Sequence, residues 1–246
     1  MALIVLTSAS GSPGVTTSAL GLSLSWPRPS LLVEADPTGG SGILAGYFHG
    51  DVAHIGGLID LALAHREGTL AEAIPRATMA IPDTAVQLLP GIRGHWQARS
   101  LIPLWEPLSG ALRALELNGQ DVIVDAGRLG LAGCPEPLIY GADLTLLVTR
   151  STLPALSGAR SWAETLRGEF ERMGASSSLG VLLVGDGEPY ARGRWPRCCR
   201  SRSLRRWHWT RTRPRCSHGE PTRRAGSSHR RCCAGCVRPR RQSSPS

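Results

Sequence analysis

The sequence predicts an α/β fold, a doubly wound and mainly parallel sheet with helices on both faces, and three observations carry that prediction. Short, mainly apolar runs recur up to Val184, helical patterns separate them, and several runs end in loops that carry glycine or a carboxylate. Unbroken apolar runs mark strands buried on both faces, and their alternation with helices marks crossover connections. An irregular Arg- and Cys-rich segment follows the last run.

Taken in order, the strands are expected at residues 2–7, 30–34, 85–89, 121–125, 143–149 and 180–184, each an apolar run bounded by turn-forming residues. Helices are expected at 16–24, 55–65, 98–117 and 154–173. The last has the clearest pattern, with Leu156, Ala159, Ala163, Leu166 and Phe170 recurring at helical spacing.

Charge divides the chain. All 28 basic residues are arginine, because the chain contains no lysine. Up to Tyr190 there are 11 arginines against 18 acidic residues, a formal charge of −7; residues 191–246 carry 17 arginines against Glu220 alone, +16. The overall charge of +9 is thus a property of the tail and does not make the first 190 residues a nucleic-acid binder. Residues 1–190 suit one globular domain, and 191–246 form a basic low-complexity segment. The domain holds one cysteine, Cys134, and no basic stretch precedes its first apolar run, so neither a disulfide framework nor a secretory leader is expected. No apolar run approaches the roughly 18–20 residues that span a bilayer. A cytoplasmic protein is the expectation.

In open α/β sheets, ligands gather beyond the carboxyl ends of the strands. The first strand leads into Gly11-Ser12-Pro13-Gly14-Val15-Thr16-Thr17, which has the build of a phosphate-binding loop. Glycines in such a loop let successive backbone N–H groups point into one concavity, a lysine reaches the outer phosphates, and a Ser/Thr hydroxyl holds Mg2+. Here Val15 stands at the lysine position. The second strand ends in Glu34-Ala35-Asp36-Pro37-Thr38-Gly39-Gly40 and the fourth in Asp125-Ala126-Gly127-Arg128. An apolar strand ending in Asp before a glycine loop can hold Mg2+, directly or through water, beside a nucleotide. Read without a ligand, the first loop is a βα turn with Thr16 or Thr17 as helix cap.

In this order the motifs resemble those of the ParA/MinD group of P-loop ATPases, over roughly residues 2–185. Ser10 falls on that family's signature lysine, Gly11 and Ser12 on its glycine pair, Gly14 on the next glycine, Val15 on the Walker lysine, and Thr16 and Thr17 on its threonines. Glu34 and Asp36 resemble its aspartate-x-aspartate-proline switch, including Pro37. Asp125 resembles the Walker B aspartate, and Ala142 to Thr149 its late strand. The loop after Asp125 departs from the family's threonine-proline-proline.

The resemblance implies a Mg-ATP-binding protein related to chromosome-partitioning and cell-division positioning ATPases of bacteria, with a degenerate Walker A loop. It places Gly11, Ser12, Gly14, Val15, Thr16 and Thr17 at the nucleotide, Thr16 and Asp125 at Mg2+, and Asp36 as the catalytic residue near the attacking water. With both lysines replaced, ATP hydrolysis is expected to be weak or lost and homodimer formation weakened. Arg128 is the candidate for an arginine supplied in cis to the phosphates. DNA or a membrane-associated protein is the partner class that the family would imply. Two alternatives stay open: a nucleotide-independent scaffold in a secretion, pilus or septum-placement system, and a DNA-binding protein acting through the arginine-rich tail.

His49, His54, His65 and His95 lack ligand-like spacing and are expected at the surface; Trp96 and Trp105 are expected to pack. The tail holds six of the seven cysteines and cannot bury a core. It is open to three readings: a product of a shifted reading frame, a basic arm on nucleic acid with Trp195, Trp207 and Trp209 stacking, or a zinc site at Cys216, His218, Cys233 and Cys236.

Overall fold

The computed structural model describes residues 3–185, so the boundary at 190 and every reading of segment 191–246 lie outside the described residues. Seven strands form one sheet: β1 (Leu3–Ser8), β2 (Ser30–Glu34), β3 (Met79–Ala80), β4 (Val86–Leu89), β5 (Asp121–Arg128), β6 (Leu144–Arg150) and β7 (Leu179–Val184). Their spatial order is β3-β4-β2-β5-β1-β6-β7, with every pairing parallel except β3 with β4. The helices are α1 (Val15–Leu24), α2 (Gly42–Gly46), α3 (Leu58–Arg66), α4 (Leu70–Ala77), α5 (Trp105–Ala114), α6 (Glu136–Gly141) and α7 (Leu153–Arg172).

Period-two alternation sorts each apolar strand between two cores. Leu3, Val5, Leu31, Val33, Val122, Val124 and Leu147 meet α3 to α7 on one face. Their neighbours Ile4, Leu6, Leu32, Ile123, Leu146 and Val148 meet Val15 and Ala19 of α1 and Ile43 and Leu44 of α2 on the other. The sheet is therefore doubly wound, as expected.

All six expected strands are present within a residue or so at most ends; β5 alone runs on, to Arg128. The region expected as one helix at 98–117 is instead a 3-10 segment (His95–Leu104), then α5, then a 3-10 turn (Leu115–Asn118). Pro103 lacks the N–H an α-helix needs, and Ala98, Leu101 and Leu104 bury equally well at a period of three. The short α2, α4 and α6 and the two-residue β3 were not expected.

Two features position the site. Strands β2, β5 and β1 are adjacent, so the loops at their carboxyl ends lie side by side. At the opposite end, the buried carboxylate of Asp121 accepts from Trp26 Nε1 at 2.6 Å and from Arg28 at 2.7 and 2.9 Å. That ties the α1–β2 connection to the start of β5.

Candidate functional site: a lysine-free phosphate loop beside three carboxylates

The loop after β1 turns on two glycines in left-handed conformation, Gly11 at φ 66° and Gly14 at φ 101°. A Cβ at either would meet nothing within 4 Å, so backbone conformation, not crowding, is what calls for glycine there. Gly14 is the N-cap of α1 and supplies no side-chain cap, which leaves the first-turn N–H groups and the positive end of the helix dipole facing the loop. Gly11, Ser12 and Thr17 are exposed, and Thr16 is half-buried.

Val15 is 7% exposed and belongs to the core between α1 and the sheet. At the position where a lysine would reach phosphates, the side chain points into the protein, and only its backbone N–H remains for a ligand. Ser10 is likewise turned inward: a Cβ on Gly158 of α7 would lie 2.8 Å from its Oγ.

Asp125 ends the apolar stretch of β5 at 1% exposure. Its Oδ1 accepts from the Gly127 N–H at 3.0 Å, and the Thr16 hydroxyl lies close to the carboxylate. Burial pushes its pKa from 3.8 up to about 7; the nearby Thr16 hydroxyl and the Gly127 N–H oppose the rise, and the charges of Asp36 and Glu34 add to it. The two side chains expected at Mg2+ are thus brought together.

Asp36 lies beside them. Its Oδ1 accepts from both the N–H and the hydroxyl of Thr38, at 2.9 and 2.8 Å, and its carboxyl group fills the space that a Cβ on Gly127 would need. Gly127 adopts φ 61°, and the β1–β5 register shifts at this point. Its carbonyl accepts from the Thr7 hydroxyl at 3.2 Å. Arg128, the next residue, is exposed and makes no salt bridge among the described residues.

Glu34 plays a different part from Asp36. Buried to 5% exposure, it accepts from Ser41 Oγ at 2.6 Å and from Ile43 N at 3.3 Å, which fastens the start of α2. Burial raises its pKa, opposed by those bonds, by Gly91 N–H and by His54. The loop after β4 is held against the same segment: Gly40 N–H donates to Ile92 O at 2.9 Å, and a Cβ on Gly39 would fall 2.6 Å from the backbone of Gly94. His54 Nε2 lies 3.1 Å from the Gly91 carbonyl. Sequence reasoning did not find this 91–94 loop; its glycine spacing was the available signal.

The loop after Asp125 is pinned. Gly130 abuts Trp162 of α7, Gly133 abuts Ala98, and the buried Trp105 indole donates to Gly133 O at 3.0 Å. Trp105 packs as expected. Trp96 does not: it is 72% exposed, because it leaves the 3-10 segment on the face opposite Ala98 and Leu101. His49 and His95 are exposed, whereas His54 and His65 are half-buried.

The residues present suit a Mg-bound phosphate group. Two open glycine positions, an uncapped ten-residue helix, a Ser/Thr hydroxyl and a carboxylate converge, and what is missing is a cation. Among the described residues no cluster of three or more His, Cys, Asp and Glu could hold a metal by itself, so phosphate and water oxygens would complete the shell. No helix among them is long and apolar enough to cross a membrane.

No protein-family model matches the chain, and no curated protein matches it in sequence. Solved structures do match. A McdA variant from Cyanothece in complex with ATP is similar over 74% of this chain and 70% of its own, at 21% identity and a TM-score of 0.57. The septum site-determining protein MinD of Pyrococcus horikoshii, complexed with Mg-ADP, matches over 78% and 73%, at 20% identity and a TM-score of 0.55. A ParA family ATPase from Chlorobium tepidum matches over 73% and 72%, at 19% identity and a TM-score of 0.55. Seven strands in this order, the glycine loop at the end of β1 and these likenesses together give the chain the ParA/MinD-like P-loop ATPase fold.

Proposed function

We propose that this protein is a cytoplasmic nucleotide-binding relative of the positioning and partitioning ATPases, in which Mg-ATP is still bound and hydrolysis is weak or lost. The observation that carries the reading is the approach of the Thr16 hydroxyl to the buried Asp125 carboxylate, at the foot of a loop whose glycines adopt left-handed conformations. A βα turn without a ligand needs no buried carboxylate on the second residue of its helix.

The chain's own groups divide the work. The backbone N–H groups of Gly11, Ser12 and Gly14 to Thr17 and the α1 dipole bind phosphate oxygens; the dipole supplies roughly half a positive charge. Thr16 and Asp125 would hold Mg2+, which when bound neutralises phosphate charge that the loop cannot. Asp36, fixed by Thr38, is placed to orient a water at the outer phosphate. Arg128, which follows Gly127 on β5, would be the side-chain cation to reach the phosphates.

The case for weak hydrolysis is electrostatic. Phosphoryl transfer is accelerated mainly by positioning and by charge aimed at the transferred group. Losing a lysine there removes a charge-assisted contact of about 1.5–3 kcal/mol. Three carboxylates nearby add repulsion, so binding should depend strongly on Mg2+. A dimer would also be weakened, since Ser10 packs on Gly158 and carries no charge to a partner. DNA or a membrane-associated protein is the partner class proposed.

The scaffold reading has one specific observation in its favour, the burial of Val15 in the core. Calorimetry of the full chain with ATP, with and without Mg2+, separates the two. Micromolar binding that needs Mg2+, and is abolished by Thr16→Ala and by Asp125→Asn, is expected. No heat with either form would leave the scaffold. Arg128→Ala should weaken Mg-ATP roughly tenfold; an unchanged affinity removes Arg128 from the site.

A further inference from the structure

The 3-10 segment His95–Leu104 repeats every three residues, so one line of side chains faces inward and another outward. Ala98, Leu101 and Leu104 are the inward line, each at most 3% exposed. Trp96, Arg99 and Ile102 form the outward line; Trp96 is 72% and Ile102 54% exposed, and Arg99 is exposed as well. Arg93, exposed, lies in the loop just before the segment and adjoins it through Gln97. The strip itself reads Trp, Arg, Ile.

At its head lies a cavity of about 220 Å³ lined by His54, Ile55, Gly57, Asp60, Arg93 and Gln97. Arg93 forms one wall, held by a bond from Nη2 to His54 O at 2.7 Å, and its backbone N–H donates to Gln97 Oε1 at 2.9 Å. Socket and strip are therefore continuous through Arg93 and Gln97. Ile55, at the rim, is 83% exposed. Solvent exposure of Trp, Ile and Ile beside arginine is the composition of an interface centre.

We propose that this strip and socket are the docking surface for a short acidic segment of a partner protein carrying an aliphatic anchor. Charge selects the occupant. Residues 3–185 hold 11 arginines against 16 acidic residues, yet this surface gathers Arg93 and Arg99 with Asp60 as the acidic residue of its socket. An acidic peptide is attracted to it and repelled elsewhere on the domain. Nucleic acid gains two arginines here and meets the domain's acidic excess, and it has no use for Ile55 or Ile102.

The surface is joined to the candidate nucleotide site. The Trp96 ring covers Gly94, filling the space that a Cβ there would need, and Gly94 in turn is stacked on Gly39. Gly40 is bonded to Ile92, and Asp36 begins the same loop. A partner on Trp96 therefore presses on the segment that holds Asp36. Only this coupling rests on the nucleotide reading; the docking does not.

The test uses the full chain labelled with fluorotryptophan, the Trp96 fluorine resonance being assigned by Trp96→Phe. Probes are the peptide Ac-Asp-Glu-Leu-Leu-Asp-Glu-NH2, its Lys-for-acid counterpart and a thymidine oligonucleotide. The acidic peptide is expected to shift the Trp96 resonance saturably, and Arg99→Glu to weaken it roughly tenfold. Unmoved Trp105 and Trp162 signals certify the fold of the variant, and the tail's Trp195, Trp207 and Trp209 report any binding there separately. Amide exchange at Gly39 and Gly40 should slow with peptide, without any nucleotide, which keeps the coupling testable if Mg-ATP does not bind. An unmoved Trp96, an equal shift in Arg99→Glu, or a larger shift with the oligonucleotide would overturn the docking proposal. Unchanged exchange at Gly39 and Gly40 in the peptide-bound protein would overturn the coupling.

Discussion

Asp125 is the residue on which the candidate site turns. Its pKa of about 7 means that the folded chain holds a proton there that the unfolded chain, near 3.8, has released. Between those values the native state binds more protons, so folding stability declines as pH rises and is lowest above 7. Glu34, raised for the same reason, acts in the same direction. Without ligand the protein should be more stable at pH 5 than at pH 8, by an amount on the order of 2–4 kcal/mol. Denaturant titrations at the two pH values measure it, and Asp125→Asn should remove most of the difference. An equal or greater stability at pH 8 would contradict this account of the carboxylate cluster. Of the residues concerned, Asp125 was singled out because it closes an apolar strand before a glycine loop, and Asp36 because it stands before Pro37 in the loop after β2. The role of Glu34 was not legible, since its partners Ser41, Ile43 and Gly91 are brought to it only by the pairing of β2 with β4.

At the scale of elements, apolar runs were read well because burial on both faces leaves little else possible. Strand β2 matches its expected bounds, stopped by Pro29 on one side and by Ala35-Asp36-Pro37 on the other. Helices α2 and α6 were missed because five or six residues show no period, and α4 because Pro75 interrupts its sequence. Helix α2 exists through Ser41 Oγ, which caps Leu44 N–H at 2.9 Å, and through the carboxylate of Glu34. The loop after β5 shows the same dependence on contacts. Trp105→Phe would leave the buried Gly133 carbonyl without its indole donor, a loss of about 1–3 kcal/mol. Faster amide exchange over residues 129–135 with little change in β1 and β5 is the expected result. Uniform loosening of the whole domain would mean that Trp105 supports the core and not the loop in particular.

For the whole molecule, composition separates a core-forming portion from an arginine-rich one. Residues 191–246 have too few aliphatic side chains to bury, so truncation after Tyr190 should leave the melting temperature within about 2 °C. The same truncation should abolish any salt-sensitive binding to nucleic acid by the full chain. A large fall in melting temperature would show that the segment packs on the domain. The sequence by itself determined the doubly wound class, the strand positions, the glycine loop and the two aspartates beyond it. Each of these follows from local pattern: an unbroken apolar run has one low-energy environment, and a left-handed turn has one favoured residue. Tertiary structure alone decided where Val15 and Ser10 point, that Glu34 clamps α2, that Trp96 faces solvent over Gly94, and that the 91–94 loop leans on the Asp36 segment. Those are contacts between residues far apart in the chain, set by strand order and by close packing, and no periodicity along the chain encodes them.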